Sequence, residues 1–332
     1  MSVNVQTLIL PEFRELPLVI EGESKEVRYA GNGLVVIRFK PTIYSFTENR
    51  CATVEGSHIP RLRASQIFVD VLRKCGIRHA YREIGPEFIL ADLVLPHLVE
   101  FEKYGLPSFV PPDLTDDQIT ELPKAPPIEI IAKRYLTGTT KHGCVGMAGS
   151  HVRDSHPFYA SMSLEGNGSL PEILIRFDWR NPLNQSGRGR RMAEQILAGV
   201  EELPVGLMNR IIEYGDRVAD VALPSQLADL FIDVKQAQRT AFLTAQALEE
   251  FLASKNIVFY DLCMFIDEAG TMVYGEISPD CGRYRHLDLG SLDKDVWRTG
   301  GSSSDVIQKW NLLVQLLEDE SPAGDHSNTG GE

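Results

Sequence analysis

The sequence predicts an α+β fold of two lobes, each an antiparallel sheet with flanking helices, with a ligand cleft between the lobes. Three observations lead there. Runs of strand pattern are followed by runs of helix pattern, without the βαβ alternation of a doubly wound sheet. A chain of 332 residues, 43% of them hydrophobic, exceeds the size at which one core usually divides. A proline-rich stretch over 105–127, with Pro107, Pro111, Pro112, Pro123, Pro126 and Pro127, suits a crossover between lobes. These place one lobe at 1–125, a second at 126–318 and a polar, disordered tail at 319–332.

Strand signals begin with Leu18-Val19-Ile20, break at Gly22, and resume from Val27 to Tyr29 and from Leu34 to Phe39. Asn32-Gly33 between the last two runs marks a hairpin. Ile67, Phe68, Val71, Leu72 and Cys75 fall at helical spacing, and Gly76 suits the residue beyond a helix end. After the crossover and its acidic patch of Asp113, Asp116 and Asp117 comes a strand from Ile128 to Ala132. One long helix is expected from Ser225 to Lys255, on the apolar stripe Leu227, Leu230, Phe231, Val234, Ala237, Ala241, Leu248, Phe251 and Leu252. Two strands, Ile257 to Phe265 and Thr271 to Ile277, follow around Asp267-Glu268-Ala269-Gly270, and a last helix covers Asp305 to Leu317.

Net charge −13 and a pI near 5.2 argue against a nucleic-acid partner. The cluster Arg188, Arg190 and Arg191 reads as the solvated surface of a mobile loop. Five scattered cysteines without a C-x-x-C pair argue against a disulfide framework or zinc site, and His142, Cys144, His151 and His156 lack ligand spacing. No apolar run approaches the roughly 18 residues that span a bilayer, so no membrane partner is expected and a reducing cytoplasm is the default compartment.

Three segments carry chemistry. Glu276-Ile277-Ser278-Pro279-Asp280-Cys281-Gly282-Arg283 puts a carboxylate, a hydroxyl, a proline bend and a guanidinium where a strand ends. Arg283 suits a phosphate or carboxylate through paired hydrogen bonds, and the same residues also suit a polar turn closed by an internal Asp-Arg pair. From Pro127, PIEIIAKRYLTGTT is a strand running into a turn at Gly138, where Lys133 or Arg134 with Thr139 would cradle a phosphate; a structural turn with surface cations is the alternative. Asp293-Lys294-Asp295-Val296-Trp297-Arg298, taken singly, is a solvated helix start.

In this order the three segments resemble SAICAR synthetase, the purine-pathway ligase that joins aspartate to a carboxyaminoimidazole ribotide using ATP. The family's wording is V-R-x-Y/R-x-x-G-S, then D-E-I-S-P-D-x-x-R, then D-K-x-x-x-R, and the likeness spans roughly residues 17–318. The resemblance implies a nucleotide side in the first lobe and a ribotide site in the second. It implies ATP and Mg²⁺ as cofactors, a ribotide and an amino acid as small-molecule partners, and it leaves a homo-oligomer open. By the same resemblance, Lys133, Thr139, Ser278 and Arg283 bind substrate, and Asp280, Arg176 and Lys25 serve catalysis. Gly22, Ser24, Lys25 and Val27 meet the nucleotide. Metal ligands are left unassigned.

The departures cluster at the nucleotide end. The family hairpin G-K-x-K-x-V-Y is here Gly22-Glu23-Ser24-Lys25-Glu26-Val27, with Glu23 where a lysine belongs. A carboxylate facing phosphate at about 4 Å would cost on the order of 4 kcal/mol at an effective dielectric near 20. The strand D-F-K-x-E-F-G is here Asp261-Leu262-Cys263-Met264-Phe265-Ile266-Asp267, and Gly275 stands where D-E-I-S-P-D has its first aspartate. Phe265 and Gly275 therefore offer no side-chain oxygen to hard Mg²⁺. In 173–182, Arg176 stands for the family lysine and Arg180-Asn181 for His-Asp. Three readings follow: an ATP-dependent carboxylate-amine ligase, a relative repurposed to another substrate or without Mg-ATP, and a non-catalytic ribotide-binding protein.

Overall fold

The structure, a computed structural model, describes residues 3–45, 50–135, 168–180, 183–184, 187–196, 222–223 and 225–319. Thr139, the Gly138 turn, the His142, Cys144, His151 and His156 set, Asn181 and the tail from 320 lie outside the described residues.

The helices are α1 (Leu10–Glu15), α2 (His58–Lys74), α3 (Leu98–Tyr104), α4 (Asp116–Glu121), α5 (Arg188–Ile196), α6 (Ser225–Ala228), α7 (Val234–Ala253), α8 (Asp295–Arg298) and α9 (Ser303–Glu318). A first sheet has the order β1-β2-β3-β7-β6, from β1 (Leu18–Glu21), β2 (Lys25–Gly31), β3 (Leu34–Phe39), β6 (Tyr81–Ile84) and β7 (Phe88–Asp92). β4 (Thr42–Ser45) and β5 (Arg50–Thr53) form a separate pair. The second sheet runs β10-β9-β8-β11-β13-β14, with β12 also on β11. Its strands are β8 (Ile128–Tyr135), β9 (Ser169–Trp179), β10 (Ala222–Leu223), β11 (Ile257–Ile266), β12 (Val273–Tyr274), β13 (Gly282–His286) and β14 (Gly290–Ser291). Every strand pairing in both sheets is antiparallel, so the expected α+β class holds.

Asn32 (φ 54°) and Gly33 (φ 71°) both lie in the left-handed region, the condition for the tight turn that joins β2 to β3. Alternation along β3 sends Val35, Ile37 and Phe39 into the main core, while Val36 packs with Val5, Phe13 and Phe88 on the other side. α2 starts nine residues before the periodic run beginning at Ile67, because its first turns bury Pro60, Arg61, Leu62, Ala64 and Ser65. It ends as expected before Gly76 (φ 68°). α2 packs on α7 and α9, and one buried cluster contains Phe39 and Phe68 as well as Ile130, Leu248 and Leu313.

Three expectations are corrected, and the crossover stretch gains a helix. The long helix is two, α6 and α7, because the chain leaves helical geometry at 229–233 and restarts on Asp233, whose carboxylate accepts from the Gln236 N–H. The crossover contains α4, closed by a reciprocal cap between Thr115 and Gln118. The strand expected over 271–277 shrinks to Val273–Tyr274, since Gly275 (φ 86°) turns the chain off the ladder. Arg188 and Arg191 sit in helix α5, not a loop, and Arg188 pairs with Glu102 at 3.0 Å.

Candidate functional site

β8 alternates between two environments. Ile128, Ile130 and Ala132 point into the core beneath α7, and the register turns Glu129, Ile131 and Lys133 to the opposite face. On that face Asp178 lies across from Glu129, Arg176 from Ile131, Cys263 from Ile131 and Asp261 from Lys133, and Arg283 lies beyond Asp261. One face of the second sheet thus collects ionisable groups that the core face excludes.

At one end Lys133 and Arg283 meet on a single carboxylate. Lys133 Nζ lies 3.3 Å from Asp261 Oδ2, and Arg283 Nη1 donates to the same oxygen at 2.5 Å. Burial opposes charge on Asp261, yet Arg283 and Lys133 hold its carboxyl below the ordinary range. Arg283 Nε also faces Asp295 Oδ1 at 3.4 Å, and Asp295 binds Arg298 in turn. Arg134 lies on the other face, on Glu249 and the Leu170 carbonyl, so Lys133 is the cation that β8 gives to this cluster.

The Ser278–Arg283 loop has no internal Asp-Arg pair. Arg283 uses Asp261 and Asp295, while Asp280 accepts from Lys294 Nζ at 2.7 Å through Oδ1 and at 2.9 Å through its carbonyl. Pro279–Cys281 forms a short 3-10 turn, and the Ser278 hydroxyl caps it by accepting from the Asp280 N–H. Asp293 and Lys294 are buried rather than the solvated helix start the sequence suggests, and Asp293 accepts from the Tyr284 N–H. Burial and neighbouring Asp295 push the Asp293 carboxyl up to about 6.

Glu276 ties this loop to the first sheet. Arg61, fully buried at the start of α2, donates to both its oxygens at 2.8 Å and also reaches the carbonyls of Lys40, Thr42 and Ser24. Ser278 donates to Glu276 Oε1, and Lys25 Nζ stands 3.6 Å from Oε2. Against the cost of burial, Arg61 and Lys25 hold the Glu276 carboxyl at about 2. Gly22 closes the hairpin tip by donating to the Lys25 carbonyl, and Ser24 contributes its carbonyl to Lys40 N–H and Arg61. Val27 packs against the core, and Glu23 is exposed.

The positions where the resemblance expects metal-side carboxylates fit one another instead of an ion. A Cβ on Gly275 would lie 2.8 Å from Phe265 Cδ2, so the ring occupies the space a side chain there would need. Two cations stand over that ring, Arg180 with its guanidinium carbon 4.1 Å from the centroid and Lys25 with Nζ at 5.7 Å. Arg180 is fixed by Glu100 at 2.6 Å and by Tyr274 Oη at 3.3 Å. Among the described residues no group of three His, Cys, Asp or Glu side chains is placed to hold a metal ion. A Mg²⁺ site does not fit these side chains.

Between the two ends lies a second polar group. Arg176 and Asp178 form a buried pair beside Glu129, and Cys263 Sγ is 3.6 Å from Glu129 Oε2. Burial and the Asp178 charge push the Glu129 carboxyl up to about 7, and burial with Glu129 pushes the Cys263 thiol well up. Of the sequence-derived residues, the sheet face brings Lys133, Arg283 and Arg176 together, while Lys25, Ser278 and Asp280 join them through Glu276 and the 278–283 loop. Arg61 and Glu129 escaped the sequence reading as working parts, and Arg180 entered it only as a replacement in the family's His-Asp. Alternation in IEIIAK could have flagged Glu129, whereas nothing local marks Arg61.

No family model matches the chain. It is 26% identical over 327 residues to the "Bifunctional cordycepin biosynthesis cluster protein 3" of Cordyceps militaris, covering 91% of this chain and 33% of that protein. The chain thus spans about a third of that relative's length. A SAICAR synthetase (Type-2) in complex with ADP superposes with TM-score 0.58 at 16% identity, over 92% of this chain and 100% of that one. The SAICAR synthetase of Pyrococcus horikoshii OT3 gives 0.56 at 16%, over 91% and 100%. The phosphoribosylaminoimidazole-succinocarboxamide synthase of Ehrlichia chaffeensis gives 0.56 at 15%, over 90% and 98%. Helices, antiparallel sheets and their order along nearly the whole chain thus give this protein the SAICAR synthetase fold.

Proposed function

We propose that the chain is an amide-forming ligase that couples an amine, aspartate or a similar amino acid, to the carboxylate of a ribosyl-phosphate heterocycle. The observation that carries this is the convergence of Lys133 and Arg283 on one face of a sheet in the SAICAR synthetase fold. A phosphate arriving there would share two cations now bridged by Asp261, which suits a site that exchanges one anionic partner for another. ATP would supply the phosphoryl group that activates the carboxylate, a use supported by the ADP complex of one structural neighbour, and Lys25 and Arg180, the cations beside the Phe265 ring, would face its phosphates. Charge placement and positioning are then the chain's main contributions to catalysis.

A second reading is favoured by the interlocked Phe265 and Gly275 and by the relative named for cordycepin biosynthesis. In it the same site serves specialised nucleoside metabolism, with another acid or amine and without Mg²⁺. One experiment separates the readings: purified protein is incubated with ATP, carboxyaminoimidazole ribotide and aspartate, with and without Mg²⁺, and ADP release and adduct mass are followed. Adduct formation supports the ligase on that substrate pair. Turnover only with other acids or amines supports the second reading, and tight ribotide binding without any product makes the chain a binding protein.

A further inference from the structure

Glu129 stands apart from the other carboxylates of the sheet face. Asp261 lies between Lys133 and Arg283, Asp178 is paired with Arg176, Glu276 is chelated by Arg61, and Asp280 is held by Lys294. Each is engaged by a cation. Glu129 is half-buried and, among the described residues, the side chain that donates to it is the Cys263 thiol, a weak donor.

Its position is as telling as its partner. Glu129 and Lys133 are four residues apart on β8 and face the same way, which separates their Cα atoms by roughly 13 Å at the usual rise of a strand. A ribosyl-phosphate heterocycle laid along that face with its phosphate toward Lys133 points its ring toward Glu129. With the phosphate between Lys133 and Arg283, the reacting carboxylate would sit near Glu129, short of the Phe265 ring and its two cations.

We propose that Glu129 is the general base that takes the ammonium proton from the incoming amine; this rests on the amide-forming reading of the same site. An N–H proton passes to a carboxylate oxygen of Glu129, and the freed nitrogen lone pair attacks the carbonyl carbon of the carboxylate activated by a nucleoside triphosphate. The C–N bond forms, the C–O bond to the phosphoryl group breaks, and phosphate leaves with that electron pair and with the second proton that the nitrogen sheds. The proton on Glu129 then passes to solvent.

The surroundings suit the task. Burial and Asp178 on β9 raise the Glu129 carboxyl to about 7, while Arg180, Cys263 on β11 and Arg176 act in the opposite sense. Both protonation states are populated at neutral pH, which a base that cycles each turnover requires. Asp261, held below the ordinary range, is too weak a base for an ammonium.

The test compares two nucleophiles on wild type, Glu129→Gln and Glu129→Asp, with folding checked by circular dichroism and thermal melts. An amino acid must lose a proton before attack; hydroxylamine is already neutral at pH 7 and traps the activated carboxylate unaided. Glu129→Gln should lower amide formation with the amino acid by about 100-fold or more and leave hydroxamate formation near wild type. The acidic limb of the wild-type kcat/KM profile for the amino acid should give way in Glu129→Gln to a steady rise toward the amine's own, more alkaline titration, and should return, shifted, in Glu129→Asp. Equal loss with both nucleophiles in a folded variant, or an unchanged acidic limb, would overturn the assignment while leaving the ligase intact. If wild type yields neither amide nor hydroxamate with any acid tested, the ligase reading fails and Glu129 loses this role with it.

Discussion

Replacing Arg61 by Met tests the contact that joins the two sheets. The substitution keeps the length and apolar stem of the side chain but strips Glu276 of two charge-assisted hydrogen bonds and leaves the Lys40, Thr42 and Ser24 carbonyls without the guanidinium. Two routes give the magnitude. Removing one partner of a buried ion pair costs about 3–5 kcal/mol. Holding the Glu276 carboxyl at about 2, from an ordinary 4.5, corresponds to about 3 kcal/mol of native-state stabilisation. Lys25, at 3.6 Å and partly exposed, recovers only part of this. Urea unfolding at pH 7 should therefore show Arg61→Met less stable by about 3 kcal/mol, a large share of the 5–15 kcal/mol typical of a domain. Because the folded carboxyl titrates below its unfolded value, its contribution is complete above about pH 4.5 and fades as the pH falls toward 2. The gap between wild type and variant should narrow over that window. A gap below about 1 kcal/mol at pH 7, well under the expected cost of a broken buried pair, or one that stays constant on acidification, would refute the reasoning.

Arg283→Ala should weaken binding of ribose 5-phosphate by more than about tenfold, measured by calorimetry, since truncating one member of a desolvated charge pair commonly costs about 2–5 kcal/mol; unchanged affinity would remove Arg283 from the anion site. Gly275→Ala should destabilise the fold by about 1–2 kcal/mol through its left-handed backbone alone, and by more while Phe265 is present, because the new Cβ meets the ring at 2.8 Å. Adding Phe265→Ala should relieve only the second part in urea melts, and wild-type stability in the single variant would contradict both. Millimolar Mg²⁺ should leave the Tm of ligand-free protein unchanged within about a degree, since an ion that does not bind the native state does not stabilise it; a rise of several degrees would reveal a cation site.

How far the sequence could be read follows from what each signal depends on. The β2–β3 turn, the end of α2 and the start of β8 were legible because Asn32-Gly33, Gly76 and the Ile128 run act through local backbone preference. The break between α6 and α7 was not, because the apolar stripe continues through Leu230 and Phe231 while the cap at Asp233 interrupts the helix. In the site, Lys133 and Arg283 were found through motif wording, and their meeting on Asp261 needed the register of three strands. Arg61 was invisible for the same reason: its partner is 215 residues away, and a charged residue in a helix ordinarily signals solvent. The burial of Asp293 and Lys294 is hidden for a like reason, since alternating charge carries no information about burial.

The fit between Phe265 and Gly275 makes the two positions interdependent. Substituting an acid at 275 alone would strain a left-handed backbone and drive its side chain into an aromatic ring. Substituting an acid at 265 alone would bring in a carboxylate facing a glycine that offers it no second ligand. Each position thus blocks an acid at the other, so single substitutions that alter the charge of this end fall to the neighbouring cations Arg180 and Lys25.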